Sequence, residues 1–124
     1  MFVDLFAILL SRKRLPMPYI SIDGDDIGNQ ISSCYLTNDE SKLKEISSTL
    51  KKVVVEITEL LKSYNCEILF SAADGIAGVY LEKIEPSELE DAIKKINRSR
   101  FTFSIGIGSD LRESYIALLE AKSS

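Results

Sequence analysis

Tyr19-Ile20-Ser21-Ile22-Asp23-Gly24-Asp25-Asp26-Ile27-Gly28 is the stretch on which the reading of this chain turns. Its first five residues alternate apolar and polar, the period of a strand, and the alternation stops at an acid. Three aspartates and a glycine then occupy four consecutive positions, so a strand ends in a concentrated negative charge. Gly24 and Gly28 let the backbone come close to a bound phosphate. From Gly24 to about Asn38 the residues are Gly, Asp, Asn and Ser-rich and read as a loop.

The elements that follow fix the topology. Leu43, Ile46, Leu50, Val53, Val54, Ile57, Leu60, Leu61 and Tyr64 recur at three- and four-residue steps and predict one long helix. Thr37 and Glu40 have capping-box spacing at its start, and Asn65 is placed to close it. Glu67–Ser71 and Ile76–Leu81 read as two strands around Ala72-Ala73-Asp74-Gly75, an Asp-Gly hairpin signal. Glu85-Pro86-Ser87-Glu88 opens a second helix with Leu89, Ile93 and Ile96 on one face. Phe101–Ile107 is a fourth strand. Ser109 or Asp110 caps a last helix in which Leu111, Tyr115, Leu118 and Leu119 are spaced for burial.

The expected fold class is therefore α+β, a ferredoxin-like βαββαβ unit with an added C-terminal helix. Right-handed crossovers put the first strand between the third and the fourth. The end of the first strand then lies beside the hairpin, which brings Asp23 to Asp74.

Composition narrows the chemistry. The 124 residues carry 15 Lys and Arg against 19 Asp and Glu, a net charge of −4 that argues against a surface coating nucleic acid. Histidine is absent and the two cysteines, Cys34 and Cys66, form no CxxC, so zinc sites and Ser-His or Cys-His catalysis are excluded. Acid–base and metal work falls to carboxylates. No apolar run is long enough to span a bilayer, which leaves a cytoplasmic domain as the expectation. Residues 1–18 read as a leader or extension, with charge after the apolar run rather than before it and Met17 as an alternative start. Residues 19–124 read as one domain.

Two carboxylates meeting at a strand end repel one another unless a cation sits between them. Oxygen donors of this kind suit Mg²⁺ or Mn²⁺, which leave coordination sites for phosphate oxygens. Two further features carry two readings each. Gly106-x-Gly108 before a capped helix is either a phosphate cradle or a site of close packing. Lys94, Lys95, Arg98 and Arg100 are either a basic patch or cations favoured near a helix C-terminus.

The segment Tyr19–Gly28 resembles the opening strand of the minimal CRISPR polymerases, small stand-alone relatives of the palm domain of type III CRISPR effectors. Phe103-Ser104-Ile105-Gly106-Ile107-Gly108 and Ala117–Lys122 resemble the wider superfamily of GGDEF-type nucleotidyl cyclases. The resemblance covers Tyr19 to Ser124. It implies a nucleotidyltransferase that joins ATP into a cyclic di- or oligonucleotide messenger in antiphage defence, by two-metal in-line attack of a ribose hydroxyl on the α-phosphorus. It also implies a homodimer with facing palms.

Residue by residue, the resemblance puts metal ligation and catalysis on Asp23 and Asp74, and ligation on the carbonyl of Gly24, with Asp26 as a substitute acid. Asp25, Ile27, Gly28 and Asn29 become nucleotide-binding candidates, and Lys122 the triphosphate contact. One departure stands out. Where the family has Gly-Gly-Asp-Asp, this chain has Ala72-Ala73-Asp74-Gly75, one acid and two glycines short. A palm that binds nucleotide without turning it over, and a plain interaction domain, are the competing expectations.

Overall fold

A computed structural model describes residues 18–81, 85–96 and 101–123. Along the chain these form β1 (Tyr19–Gly24), α1 (Ile27–Leu36), α2 (Glu40–Ser63), β2 (Cys66–Ala72), β3 (Gly75–Tyr80), α3 (Pro86–Ile96), β4 (Phe103–Gly108) and α4 (Leu111–Ser123). The strands make one sheet in the order β2-β3-β1-β4, antiparallel throughout, so β1 lies between β3 and β4 as its topology predicts. The leader reading falls almost wholly outside the described residues; of that segment only Pro18 is seen, its carbonyl accepting from the Tyr80 amide.

The alternation in β1 sorts the molecule into layers. Ile20 and Ile22 point to one face and are buried, together with Ile76 and Tyr80 of β3. Ile46, Leu50, Val53, Val54, Ile57 and Leu61 of α2 and Leu89 and Ile93 of α3 close over them in one cluster. Each such side chain stabilises the fold by about 1.5–3 kcal/mol relative to leaving it in water. Ser21 points to the opposite face, where its hydroxyl meets that of Ser114 in α4 at 2.8 Å. The C-terminal helix thus packs on the other side of the sheet from α2 and α3.

Glycine makes that second layer possible. A Cβ built on Gly106 would lie 2.2 Å from the Leu118 nitrogen and 2.2 Å from the Ser114 carbonyl oxygen, and one on Gly108 would lie 2.6 Å from the Ser114 nitrogen. The backbone of α4 rests directly on β4. Of the two readings of Gly106-x-Gly108, the structure gives close packing. Asp110 caps α4 by accepting from the Glu113 amide at 2.7 Å, while the Glu113 carboxylate accepts from the amide and hydroxyl of Ser109.

Three sequence expectations are corrected. The segment read as a loop from Gly24 to Asn38 contains α1. Its apolar signal is short, with Ile27 and Cys34 buried and Ile31 half-buried among polar neighbours. Thr37 ends α1 rather than starting α2, its hydroxyl bonding the Ser33 carbonyl at 2.7 Å; the cap of α2 is Asp39, which accepts from the Lys42 amide at 3.1 Å. In α4, Leu111, Tyr115 and Leu119 are exposed, and Ser114 and Leu118 are the buried pair. Close approach to the glycines selects the small Ser114 for the contact. Asn65 does close α2, with φ at 61° and its amide on the Lys62 carbonyl.

Candidate active site

The β1 end and the β2–β3 turn converge as the topology requires. Asp23 is paired with Gly75 of β3 on one side and with Ser104 of β4 on the other. The turn between β2 and β3 is Ala73-Asp74, and Ala73 takes a left-handed φ of 51°. The Gly24 amide donates to the Asp74 carbonyl at 3.2 Å, which ties the hairpin to the strand end. A Cβ on Gly24 would sit 2.9 Å from an Asp74 carboxylate oxygen, so only glycine leaves that carboxylate its place.

Burial and the neighbouring Asp23 charge both push the Asp74 carboxyl above its ordinary pKa. Among the described residues, the cation that answers these charges is Lys122. The Lys122 ammonium, from the last turn of α4, donates to the Gly24 carbonyl at 2.8 Å and lies 3.3 Å from carboxylate oxygens of both Asp23 and Asp25. Burial works against the lysine's charge, but the two aspartates outweigh it and hold the Lys122 pKa above the usual value.

Asp25 has a separate task. Its carboxylate accepts from Ser104 at 2.7 Å and Thr102 at 2.9 Å, and its amide donates to the Thr102 carbonyl at 2.8 Å. Burial alone would raise its pKa; the two hydroxyls and Lys122 overcome that and lower it. Asp25 therefore pins the start of the β1–α1 connection to β4. Thr102 and Ser104 were not singled out in the sequence. Their two-residue spacing within the strand predicted over Phe101–Ile107 was the available signal, because it puts both hydroxyls on one side.

The other candidates lie at the start of α1, where the Ile27 side chain sits against Gly24. Asp26 is exposed, has a left-handed φ of 61° at the N-cap of α1, and its carboxylate accepts from the Asn29 side chain. Ile27 is buried in the core, and a Cβ on Gly28 would meet open space. Lys94 and Lys95 lie in the last turn of α3, where cations are favoured by the helix dipole, and Arg98 and Arg100 lie outside the described residues.

Two carboxylates, a backbone carbonyl and no sulfur or imidazole form a hard-oxygen donor set, which fits Mg²⁺ or Mn²⁺. Among the described residues no group of three or more acidic or sulfur side chains is arranged to hold a metal. The fit thus depends on the Gly24 carbonyl as third donor. A cavity of about 300 Å³ lies beside β4, lined in part by Phe101, Thr102 and Ser104; Asp23 and Asp74 do not line it.

A sheet of order β2-β3-β1-β4, with an acid at the end of β1 and another in the adjoining hairpin, is a ferredoxin-like α+β arrangement that brings two carboxylates to one sheet edge. The sequence profile of the minimal CRISPR polymerase domain matches residues 19–124, and the chain belongs to that family. No curated protein matches the sequence. Among solved structures, the fold is similar to the GGDEF domain of TpbB (YfiN) from Pseudomonas aeruginosa. The TM-score is 0.66 at 14% identity, covering 95% of this chain and 78% of that one. It is also similar to a sensory box/GGDEF family protein from Caulobacter crescentus, with a TM-score of 0.59 at 14% identity over 96% and 86% of the two chains. At that identity the likeness establishes the fold. No described helix is long and apolar enough to cross a membrane.

Proposed function

We propose that this palm domain is a metal-dependent nucleotidyltransferase that converts ATP into a cyclic di- or oligonucleotide messenger serving antiphage defence. The observation that carries the reading is the convergence of the Asp23 carboxylate, the Gly24 carbonyl and the Lys122 ammonium beside the Asp74 hairpin. Asp23, Gly24 and Asp74 would hold Mg²⁺ or Mn²⁺, with Asp26, two residues beyond Gly24, as the substitute acid. When bound, the metals supply Lewis-acid activation of the attacking ribose hydroxyl and neutralise charge on the leaving pyrophosphate.

The chain's own residues do the positioning. Asp25, anchored on Thr102 and Ser104, fixes the Gly24 carbonyl and the loop that leads into α1. Lys122 presents a cation to the triphosphate. With no histidine in the chain, proton removal from the ribose hydroxyl has no imidazole base and falls to the carboxylates and water. The backbone at Ile27 and Gly28 and the side chain of Asn29 lie at the start of α1, where a nucleotide entering from the Asp23 side would pass. Joining two nucleotides at a domain with one such site requires an acceptor held elsewhere, and a second copy of the chain supplies it. The active form is accordingly a homodimer in the cytoplasm.

The test is divalent-dependent release of pyrophosphate from ATP. Asp23→Ala is expected to abolish it while leaving the thermal transition in place, because Asp23 ends a strand and fills no core position. Normal turnover by a folded Asp23→Ala chain would refute the site. The second reading, a palm that binds nucleotide without turnover, is favoured by the single acid of the hairpin; nucleotide binding without pyrophosphate release would establish it.

A further inference from the structure

We propose that Lys122 is the resident cation of the acidic site and is exchanged for the metal when a triphosphate binds, so that metal and nucleotide enter together. The inference rests on the reading of Asp23, Gly24 and Asp74 as metal ligands. An ammonium has three donors and no acceptor. Those of Lys122 are directed to the Gly24 carbonyl at 2.8 Å and to Asp23 and Asp25, each at 3.3 Å. Two of these three partners, the Asp23 carboxylate and the Gly24 carbonyl, are oxygens the metal itself would use. A lysine bonded to them competes with the metal directly, and its positive charge opposes entry of a divalent ion.

The surroundings are built for the lysine to leave. Asp25 keeps its Ser104 and Thr102 bonds when the ammonium departs, so of the three groups that hold Lys122 this one stays bonded without it. The Asp23 carboxylate and the Gly24 carbonyl do lose their cation, beside the Asp74 hairpin, and a divalent ion is the replacement those oxygens can hold. Lys122 stands in the last turn of α4, whose position is fixed further back by Ser114 and Leu118 against Gly106. Its flexible four-carbon stem lets the head move while the helix stays. The departing ammonium needs an anion, and a triphosphate is the one the proposed reaction brings. Metal alone would have to expel a paired lysine into water. Metal with a triphosphate hands the lysine a new partner.

The experiment measures Mn²⁺ binding by electron paramagnetic resonance of the free aquo ion, for the parent chain and for Lys122→Met. Each is titrated alone and with saturating α,β-methylene ATP. Alone, Lys122→Met is expected to bind Mn²⁺ at least about tenfold more tightly than the parent. With the analogue bound, the gap is expected to close. Equal Mn²⁺ affinity of the two chains without the analogue overturns the exchange, and so does a gap that persists unchanged with it, which is the signature of a lysine acting at a distance. A parent chain that binds no Mn²⁺ even with the analogue overturns the metal-site reading itself. A second measurement uses the unaltered chain. The Lys122 ammonium resonance, in a ¹H–¹⁵N spectrum of the side-chain amines, should shift when Mg²⁺ and the analogue are added together. Its persistence, while Asp23 and Gly24 respond, overturns the exchange.

Discussion

The contact between α4 and β4 is the part of the fold on which both stability and the site depend, and Gly106→Ala tests it. The added Cβ would lie 2.2 Å from the Leu118 nitrogen and from the Ser114 carbonyl oxygen, and 2.7 Å from the Leu118 Cα. All three are backbone atoms, so no side chain can rotate out of the way. Since ordinary contact begins near 3.4 Å, the helix must retreat by more than about 1 Å. Overpacking of this kind costs about 1–3 kcal/mol. Loosening the Ser21–Ser114 hydrogen bond and the burial of Leu118 adds to it, giving about 2–3 kcal/mol in all. For a domain near a hundred residues that lowers Tm by roughly 10–20 °C. The retreat also carries Lys122, one turn beyond Leu118, away from the Gly24 carbonyl it bonds at 2.8 Å. A displacement of about 1 Å in a positioning group lowers turnover by roughly 10²-fold. Differential scanning calorimetry and pyrophosphate release measure the two effects. If Tm stays within about 2 °C of the parent, α4 does not rest on β4 as described. If Tm holds and only nucleotide affinity falls, the glycines belong to a phosphate cradle.

Three further outcomes are expected. Asp74→Asn should raise Tm in metal-free buffer at neutral pH. The raised folded-state pKa of Asp74 makes its ionised form unfavourable to folding, so the parent loses stability as pH rises above the unfolded value of about 3.9; Tm curves of the two chains should converge near pH 4, and a constant offset would refute the cause. Ala73→Gly should stabilise by about 1 kcal/mol, because Ala73 holds a φ of 51° that glycine adopts freely, and chemical denaturation would read the gain. Gly75→Asp should lower Tm without metal and tighten Mg²⁺ binding by calorimetry. Its Cβ has room at 3.6 Å from its nearest neighbours, one of which is an Asp23 carboxylate oxygen, but it sets a like charge opposite Asp23.

The sheet was legible because each strand is set by a local period and the crossover rule does the rest. Asp23 and Asp74 meet for a reason visible in the chain, a strand end beside a hairpin in an antiparallel neighbour. Ser21 hid the second layer. A serine in an alternating strand reads as a solvent-facing residue, yet it is buried against Ser114, and only contact with another polar small residue makes that burial tolerable. The same substitution of small for large explains why apolar spacing misjudged α4. Its buried face is chosen by how near its backbone can come to glycine, not by where its leucines fall. Helix α1 was missed because Ile27, Ile31 and Cys34 are too few to show a period among Gly, Asn, Gln and Ser. Lys122 could be tied to the site only by resemblance, since no local pattern links a helix C-terminus to a strand end 98 residues earlier.

The altered hairpin divides into separate effects once its backbone is known. At Ala72, the last residue of β2, φ is not in the left-handed region, so alanine in place of the family's first glycine strains nothing. At Ala73 φ is left-handed, and alanine there carries a conformational penalty of about 1 kcal/mol. The turn nevertheless keeps its two-residue form, with Ala72 paired to Gly75, and it still delivers Asp74 to Asp23. What the sequence change removes from the site is therefore a charge and not a shape. That distinction bears on turnover. A missing carboxylate lowers metal affinity and can be offset by higher metal concentration or by the phosphates of the nucleotide, whereas a misplaced hairpin could not. On the proposed metal site the departure therefore bears on metal affinity, and a chain assayed at saturating Mn²⁺ is expected to lose most of its difference from the Gly75→Asp variant.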